Sequence, residues 1–508
     1  MRRRTDPEGP RGPGDPRSST ASSSSGAVRP DGGPGHRPLV RPAAQADSRH
    51  DDSGRHGNGP APGGTGQGPR VALLALAVGV VLADSSIVTL GLPDVLSDFN
   101  ATPSSVAWVL TGYNLVLAAF ALPVALLVRR LASSGVLRIG LVAFSAASLA
   151  CALAPSLGVL VAARCVQGLG GAAVACSALG LLEQATGSRV RGAAIWGSAG
   201  ALGAAVGPAI GGLLTEILSW EWIFLVQIPV GLLCLLALRD PRTLVAETTG
   251  STRPDVRNLT ALAFVGAGLT AALFLLVLLL IAGWGVSPIT AALTVSVMPV
   301  AALLGGRLRG GEARIRAAAG ALLLGGGLAA LGLLPEAGIA WTFAPQIVVG
   351  AGLGLSLGAL TEAALHGRIP LVVHGGWTLA ARHAGVVVAL VLLTPMFSAD
   401  LERQGERAQE AVVALLLDSD LPVATRVDLG LRLAGEIGST TTEVPDVGPA
   451  FAETTVERED RPGLDALEAD VVEELDRAAT TAFERSFLLA AALSLCALVP
   501  LLWPRRGA

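Results

Sequence analysis

From residue 71 onward, long apolar runs alternate with short polar breaks. About 20 apolar residues in a helix cross the ~30 Å hydrocarbon core of a bilayer. Runs of roughly that length fall near 71–92, 104–128, 136–154, 157–182, 191–214, 221–238, 258–282, 288–306, 316–334, 342–364, 372–397 and 486–503. The pattern predicts an all-α integral membrane protein of about twelve transmembrane helices.

Arginine placement tests that count, because short loops on the cytoplasmic side carry the excess of basic residues. With the N-terminal tail inside, the inner loops hold Arg129, Arg130 and Arg138, then Arg189 and Arg191, then Arg239, Arg242, Arg253 and Arg257. Next come Arg307, Arg309, Arg314 and Arg316, then Arg368, and finally Arg505 and Arg506. The outer loops near 93–103, 155–156, 215–221, 283–287 and 335–340 hold none. An error of one helix would destroy this alternation. It predicts a multi-pass protein of the cell membrane with both termini cytoplasmic.

Two segments break the alternation of runs and short loops. Residues 1–70 are rich in Gly, Pro, Ser, Asp and Arg without apolar periodicity, which predicts a disordered cytoplasmic tail. Residues 398–485 form one long outer loop with 21 acidic residues against 8 arginines. Within it, 408–417 and 427–437 show helical spacing of apolar residues. The expectation is a small helical, acidic, extracytoplasmic cap, acting either as a solvated spacer or as a contact for a protein partner or substrate.

Composition agrees with membrane embedding. Apolar residues make up 51% of the chain and charged residues 15%, where soluble domains carry about 25% charged residues. The net charge of −3 gives no reason to expect a nucleic-acid partner. The five cysteines, Cys151, Cys165, Cys176, Cys234 and Cys496, lie inside apolar runs without metal-ligand spacing. No nucleophile–base pair, phosphate loop or metal cluster is legible, so neither an enzyme, a cofactor nor a metal is predicted.

Three segments carry candidate chemistry. In Leu82-Ala83-Asp84-Ser85-Ser86-Ile87-Val88-Thr89-Leu90-Gly91-Leu92-Pro93, an acid interrupts an apolar run. Such an acid costs ~2.5–3.5 kcal/mol on insertion scales, so it faces a cavity or a partner. Asp84 is either a proton- or substrate-handling group or a structural acid capped by Ser85, Ser86 or backbone. Arg164-Cys165-Val166-Gln167-Gly168-Leu169-Gly170 places an arginine in the fourth run, where it must find a carboxylate or carbonyl. In the fifth run, Gly203, Gly207 and Gly211 lie four apart, followed by Gly212, with Pro208 between them. Small residues at that spacing let a neighbouring helix approach closely.

Together these segments resemble the drug:proton antiporter branch of the major facilitator superfamily. The first is similar to that branch's first-helix pattern. The second is similar to an Arg-x-x-Gln-Gly-x-Gly motif whose arginine is linked to proton coupling. The third is similar to the antiporter pattern Gly-x-x-x-Gly-Pro-x-x-Gly-Gly. Trp220 to Gly231 resembles the start of the sixth helix, and Thr378-Leu379-Ala380-Ala381-Arg382-His383-Ala384-Gly385 the eleventh. The resemblance covers 71–397 and 486–503. It implies two six-helix bundles, 71–238 and 258–508, joined by a cytoplasmic linker at 239–257, with a substrate site between them.

The implied function is proton-coupled export of a small molecule, a drug or a metabolite, by alternating access. Asp84, Arg164, Gln167 and Arg382 are the candidate coupling and substrate residues, and Tyr113, Asn114 and Trp377 the candidate cavity lining. Arg382 and His383 serve either as interfacial anchors or in coupling, and Glu362 is expected to pair with Arg382 or Arg368. A cationic substrate would find its acid at Asp84. One departure stands out: the second-to-third loop, Val128 to Arg138, lacks the acid of the family's Gly-x-x-x-Asp-Arg-x-Gly-Arg-Arg motif. That departure and the acidic cap leave a competing class open, a non-transporting membrane sensor or assembly partner.

Overall fold

The computed structural model describes residues 67–237, 251–308, 310–439 and 447–503, and among them every regular element is helical. The expected tail up to residue 66, most of the linker (238–250), Arg309 and the C-terminal arginines lie outside the described residues. The first half runs through α1 (Gln67–Asp98), α2 (Pro103–Arg130), α3 (Ser133–Ala152), α4 (Leu157–Thr186), α5 (Arg189–Ile217), α6 (Trp222–Leu225) and α7 (Gln227–Ala237). The second runs through α8 (Val256–Leu278) with a π-helical turn to Gly283, α9 (Pro288–Val295), α10 (Val297–Gly305), α11 (Ala313–Gly332) and α12 (Ile339–Leu365). It continues with α13 (Leu371–Asp418), α14 (Val423–Ser439), α15 (Gly448–Ala452), α16 (Arg461–Leu495) and α17 (Leu498–Leu502).

Among the described residues, eleven spans are long and apolar enough to cross a membrane, and Trp222–Leu236 is a twelfth, shorter apolar segment. The sixth run is broken at Val226, the eighth at Ser296 and the twelfth at Cys496–Ala497. Pro229, Pro299 and Pro500 stand four residues after Leu225, Val295 and Cys496. A proline lacks the N–H that the carbonyl four residues earlier would accept, so each break falls where the helical ladder loses a rung.

The fifth-run glycines do what their spacing predicts. A Cβ on Gly203 would run into the backbone of Gly79, one on Gly207 into Ser86, and one on Gly211 into the Ile87 carbonyl. Bare backbone on α5 therefore lets α1 lie against it along three successive turns. Gly212 points elsewhere, toward Pro288 and Ala292 of α9, where the two halves meet. On the arginine-bearing end, Gly375 and Gly376 of α13 seat against Leu179 of α4 and Ala125 of α2. The halves thus touch on both sides of the bundle's mid-height.

Residues 398–485 correct the expected outer loop. No loop begins at 398: α13 runs unbroken for 48 residues to Asp418, and α16 starts at Arg461 and enters the bundle without interruption. Both prolong membrane helices because their apolar positions keep helical spacing beyond the bilayer. Ala408, Val412 and Leu416 on α13 face Leu464, Leu467, Val471 and Leu475 on α16, with Leu429, Leu433 and Phe451 closing a separate small core. Asp400, 5% exposed, pins the exit of both helices, accepting from Arg403 at 2.5 Å and Arg485 at 3.4 Å. The expected helix at 408–417 is the end of α13, and that at 427–437 lies within α14.

Candidate functional site

Four helices of the first half place polar side chains in one buried cluster. Asp84 on α1 and Arg164 on α4 have no exposed side-chain surface, and Arg164 Nη1 lies 2.6 Å from Asp84 Oδ2. Three residues on from Arg164, one helical turn away, Gln167 accepts from Arg164 Nη1 at 2.5 Å. Gln167 Nε2 donates to Ser148 on α3 at 2.9 Å and to Gln227 on α7 at 3.1 Å. Gln227 Nε2 in turn donates to Asp84 Oδ1 at 2.9 Å and to Ile223 O at 3.1 Å.

Burying two charges costs several kcal/mol per ion unless each is paired and hydrogen-bonded. The arginine's remaining needs are met by Val109 O, 3.1 Å from Nε, and by the face of Tyr113, 4.2 Å from Cζ. A desolvated cation over a ring gains up to ~2 kcal/mol. The Phe224 ring lies on another side at 5.6 Å. One donor remains: Arg164 Nη2 is buried and without a hydrogen-bond partner among the described residues. In this arrangement the Asp84 carboxylate is ion-paired with Arg164.

A second polar string crosses between the halves. Asn114 Nδ2 donates to Ser85 Oγ at 3.2 Å and to Leu110 O at 2.8 Å, and Asn114 Oδ1 lies 2.6 Å from His383 Nδ1. Ser85 follows Asp84 directly, so the string begins one residue from the ion pair. His383 is 4% exposed, and its Nε2 is buried without a partner among the described residues.

The structure thus brings together Asp84, Arg164, Gln167 and Tyr113, and links Asn114 to them through Ser85. Tyr113 supports the arginine, and its hydroxyl donates to Val81 O at 2.9 Å. Arg382 stands apart: it has no hydrogen-bond or ion-pair partner among the described residues. Trp377 is 37% exposed and makes no hydrogen bond to the cluster. The pairings expected of Glu362 do not form; Arg368 instead meets Asp255 at 3.1 Å. Gly203, Gly207 and Gly211 form the helix seam behind Asp84, Pro208 lies between them on α5, and Gly212 faces α9, so none of the five joins the polar cluster itself. Sequence reasoning missed Gln227 and Ser148. A glutamine inside the apolar sixth run was the available signal for the first, whereas a serine in a helix is too common to single out.

The Major Facilitator Superfamily profile matches residues 74–391, more than half of the sequence, and the chain belongs to that superfamily of membrane transporters. It is similar to the Tetracenomycin C resistance and export protein of Streptomyces glaucescens, 36% identical over 192 residues (37% of this chain, 36% of that protein). It is similar to the Puromycin resistance protein pur8 of Streptomyces alboniger, 37% identical over 172 residues (33% of this chain, 34% of that protein). It is also similar to the Multidrug resistance protein Stp of Mycobacterium tuberculosis, 35% identical over 170 residues (32% of each). The chain spans about a third of the length of these relatives. A bacterial homologue of the human lysosomal transporter Spinster, solved inward-facing and occupied, aligns with a TM-score of 0.59 at 17% identity, over 88% of this chain and 100% of that one. That likeness establishes the fold, two six-helix bundles.

Proposed function

We propose that this transporter exports a small organic molecule in exchange for protons, with Asp84 as the proton-carrying group and Arg164 as its switchable partner. The observation that carries the reading is the fully buried Asp84–Arg164 pair, 2.6 Å apart and embedded in two glutamines. A proton arriving on Asp84 cancels one of the two charges and leaves Arg164 to Val109 O, Gln167 and the Tyr113 ring. Loss of the proton restores the pair. Such an element has two discrete arrangements that a proton and a substrate can bias in opposite directions.

Because Asp84 is occupied by Arg164, a cationic substrate gains that carboxylate only when the pair opens, which makes proton and substrate exclusive. A proton crossing 100 mV releases ~2.3 kcal/mol, enough to export an uncharged substrate against a gradient of tens of fold. The arginine alternation supports a cell-membrane setting with cytoplasmic ends and an extracytoplasmic cap. The names of the similar proteins, for tetracenomycin C resistance and export, puromycin resistance and multidrug resistance, support a drug or metabolite as cargo.

The test is substrate-driven proton movement in proteoliposomes containing a pH dye, comparing wild type with Asp84→Asn. A dye response to some compound of a broad panel, abolished in the variant, supports the exchange. A response that survives moves proton coupling away from Asp84. Silence across the panel from folded protein favours a second reading, a non-transporting sensor or assembly partner. The observation behind that reading is a cap with its own hydrophobic core.

A further inference from the structure

The cap carries a cavity of about 550 Å³ between the far end of α13 and α14, within the size range of small-molecule sites. Its walls are apolar, with Val412, Leu416 and Leu433 at the base and the more exposed Val413, Leu417 and Val427 at the rim. Leu417 is 70% exposed and Val427 59%. The bilayer does not cover these residues. Val412, Val413, Leu416 and Leu417 lie 15 to 20 residues beyond Phe397 on the unbroken α13, which at 1.5 Å per residue is roughly 22–30 Å past the apolar run, and α14 packs beside them.

One cation lines this groove, Arg426. The cap holds 21 acidic residues and eight arginines. Five of those arginines, Arg403, Arg432, Arg461, Arg477 and Arg485, make carboxylate ion pairs among the described residues. Arg426, like Arg407 and Arg458, makes none among the described residues: its Nη1 donates to Leu417 O at 2.7 Å, and its Nε is buried without a hydrogen-bond partner among them. It also sits in the first turn of α14, where the helix dipole favours an acid rather than a base. Dipole and guanidinium together make one end of an apolar groove positive in an otherwise acidic cap.

We propose that this groove binds a single-chain amphiphilic carboxylate, with the carboxylate on Arg426 and the chain along Leu416, Val427 and Leu433. The site is remote from the buried ion pair and does not rest on the export reading. An Arg–carboxylate contact is stronger than a neutral hydrogen bond, and the apolar walls supply the remaining affinity in proportion to chain length. A cationic amphiphile would meet Arg426 head-on, so the groove discriminates by charge.

The test uses the full chain in lipid nanodiscs and a diazirine-bearing fatty acid, with cross-links mapped by mass spectrometry. Cross-links are expected within 409–434. Competition by saturated carboxylates should improve about two- to fourfold per added CH2, and decyltrimethylammonium should not compete. Arg426→Gln should weaken labelling at least tenfold, while Arg426→Lys retains most of it. Val427→Asp, at an exposed rim position that leaves the cap core intact, should block labelling as well. Three results would overturn the assignment: cross-links confined to the membrane helices, equal competition by the cation, or labelling indifferent to both Arg426→Gln and Val427→Asp. Cross-links between two copies through this groove would also overturn it, in favour of a dimer contact.

Discussion

Asn114 Oδ1 of α2 and His383 Nδ1 of α13 lie 2.6 Å apart, a hydrogen bond that joins one six-helix bundle to the other. Asn114 also binds Ser85, the neighbour of Asp84. The bond therefore connects the contact between the halves with the helix that carries the candidate proton site. A neutral buried hydrogen bond contributes about 0.5–1.5 kcal/mol net. The expected result is a coupling of about 1 kcal/mol between Asn114→Ala and His383→Ala in a double-mutant cycle on thermal stability. Strict additivity of the two variants would mean that this contact does not hold the halves together.

The buried ion pair makes a sharper prediction. Removing one partner strands a desolvated charge and costs about 3–5 kcal/mol, whereas replacing both by apolar side chains of similar volume is often neutral. Arg164→Met alone should lower the melting temperature strongly, and Asp84→Leu with Arg164→Met should recover most of the loss. The double variant should remain inactive in the proteoliposome assay, separating stability from coupling. If the double variant melts as low as the worse single variant, the pair is not the electrostatic unit described above.

How much of this was legible in the sequence follows from which physical constraints are local. Span length and loop charge are local, so the twelve runs and the arginine alternation could be read directly, as could the glycine face of α5. Asp84 and Arg164 stood out because an isolated charge in an apolar run demands a partner. Their mutual pairing, and the role of Gln227 as the bridge to Asp84 Oδ1, depend on tertiary placement that no spacing encodes. The start of the cap was misread for a different reason. Polarity alone set the expected loop boundary at 398, yet the backbone responds to propensity and helical spacing, and α13 runs past that boundary as one helix.

The α1–α5 seam predicts an ordered series. A Cβ on Gly203 meets backbone atoms of Gly79, which cannot move aside, whereas one on Gly207 first meets the Ser86 hydroxyl. Overpacking of this kind costs typically 1–3 kcal/mol. Gly203→Ala should therefore destabilise more than Gly207→Ala. Ser86→Ala should restore much of the Gly207→Ala loss and none of the Gly203→Ala loss. Melting curves of the five proteins decide the matter, and rescue of both variants by Ser86→Ala would place the seam elsewhere.

The cap core is separate from the two cores of the membrane bundle, although α13 and α16 pass through both regions without a break. Phe451, 1% exposed, closes that core from the short helix α15. Phe451→Ala should destabilise the cap by about 3–5 kcal/mol, the range for deleting a buried aromatic side chain. Because the membrane helices keep their own packing, hydrogen exchange should accelerate within 408–475 and stay unchanged in α1 and α4. Equal acceleration in α4 would mean that cap and bundle unfold as one cooperative unit. An unchanged cap would mean that Phe451 is not part of a core at all. The first outcome would also tie occupancy of the α13–α14 groove to the stability of the helices around Asp84 and Arg164, since a ligand that stabilises the cap would then stabilise the whole chain.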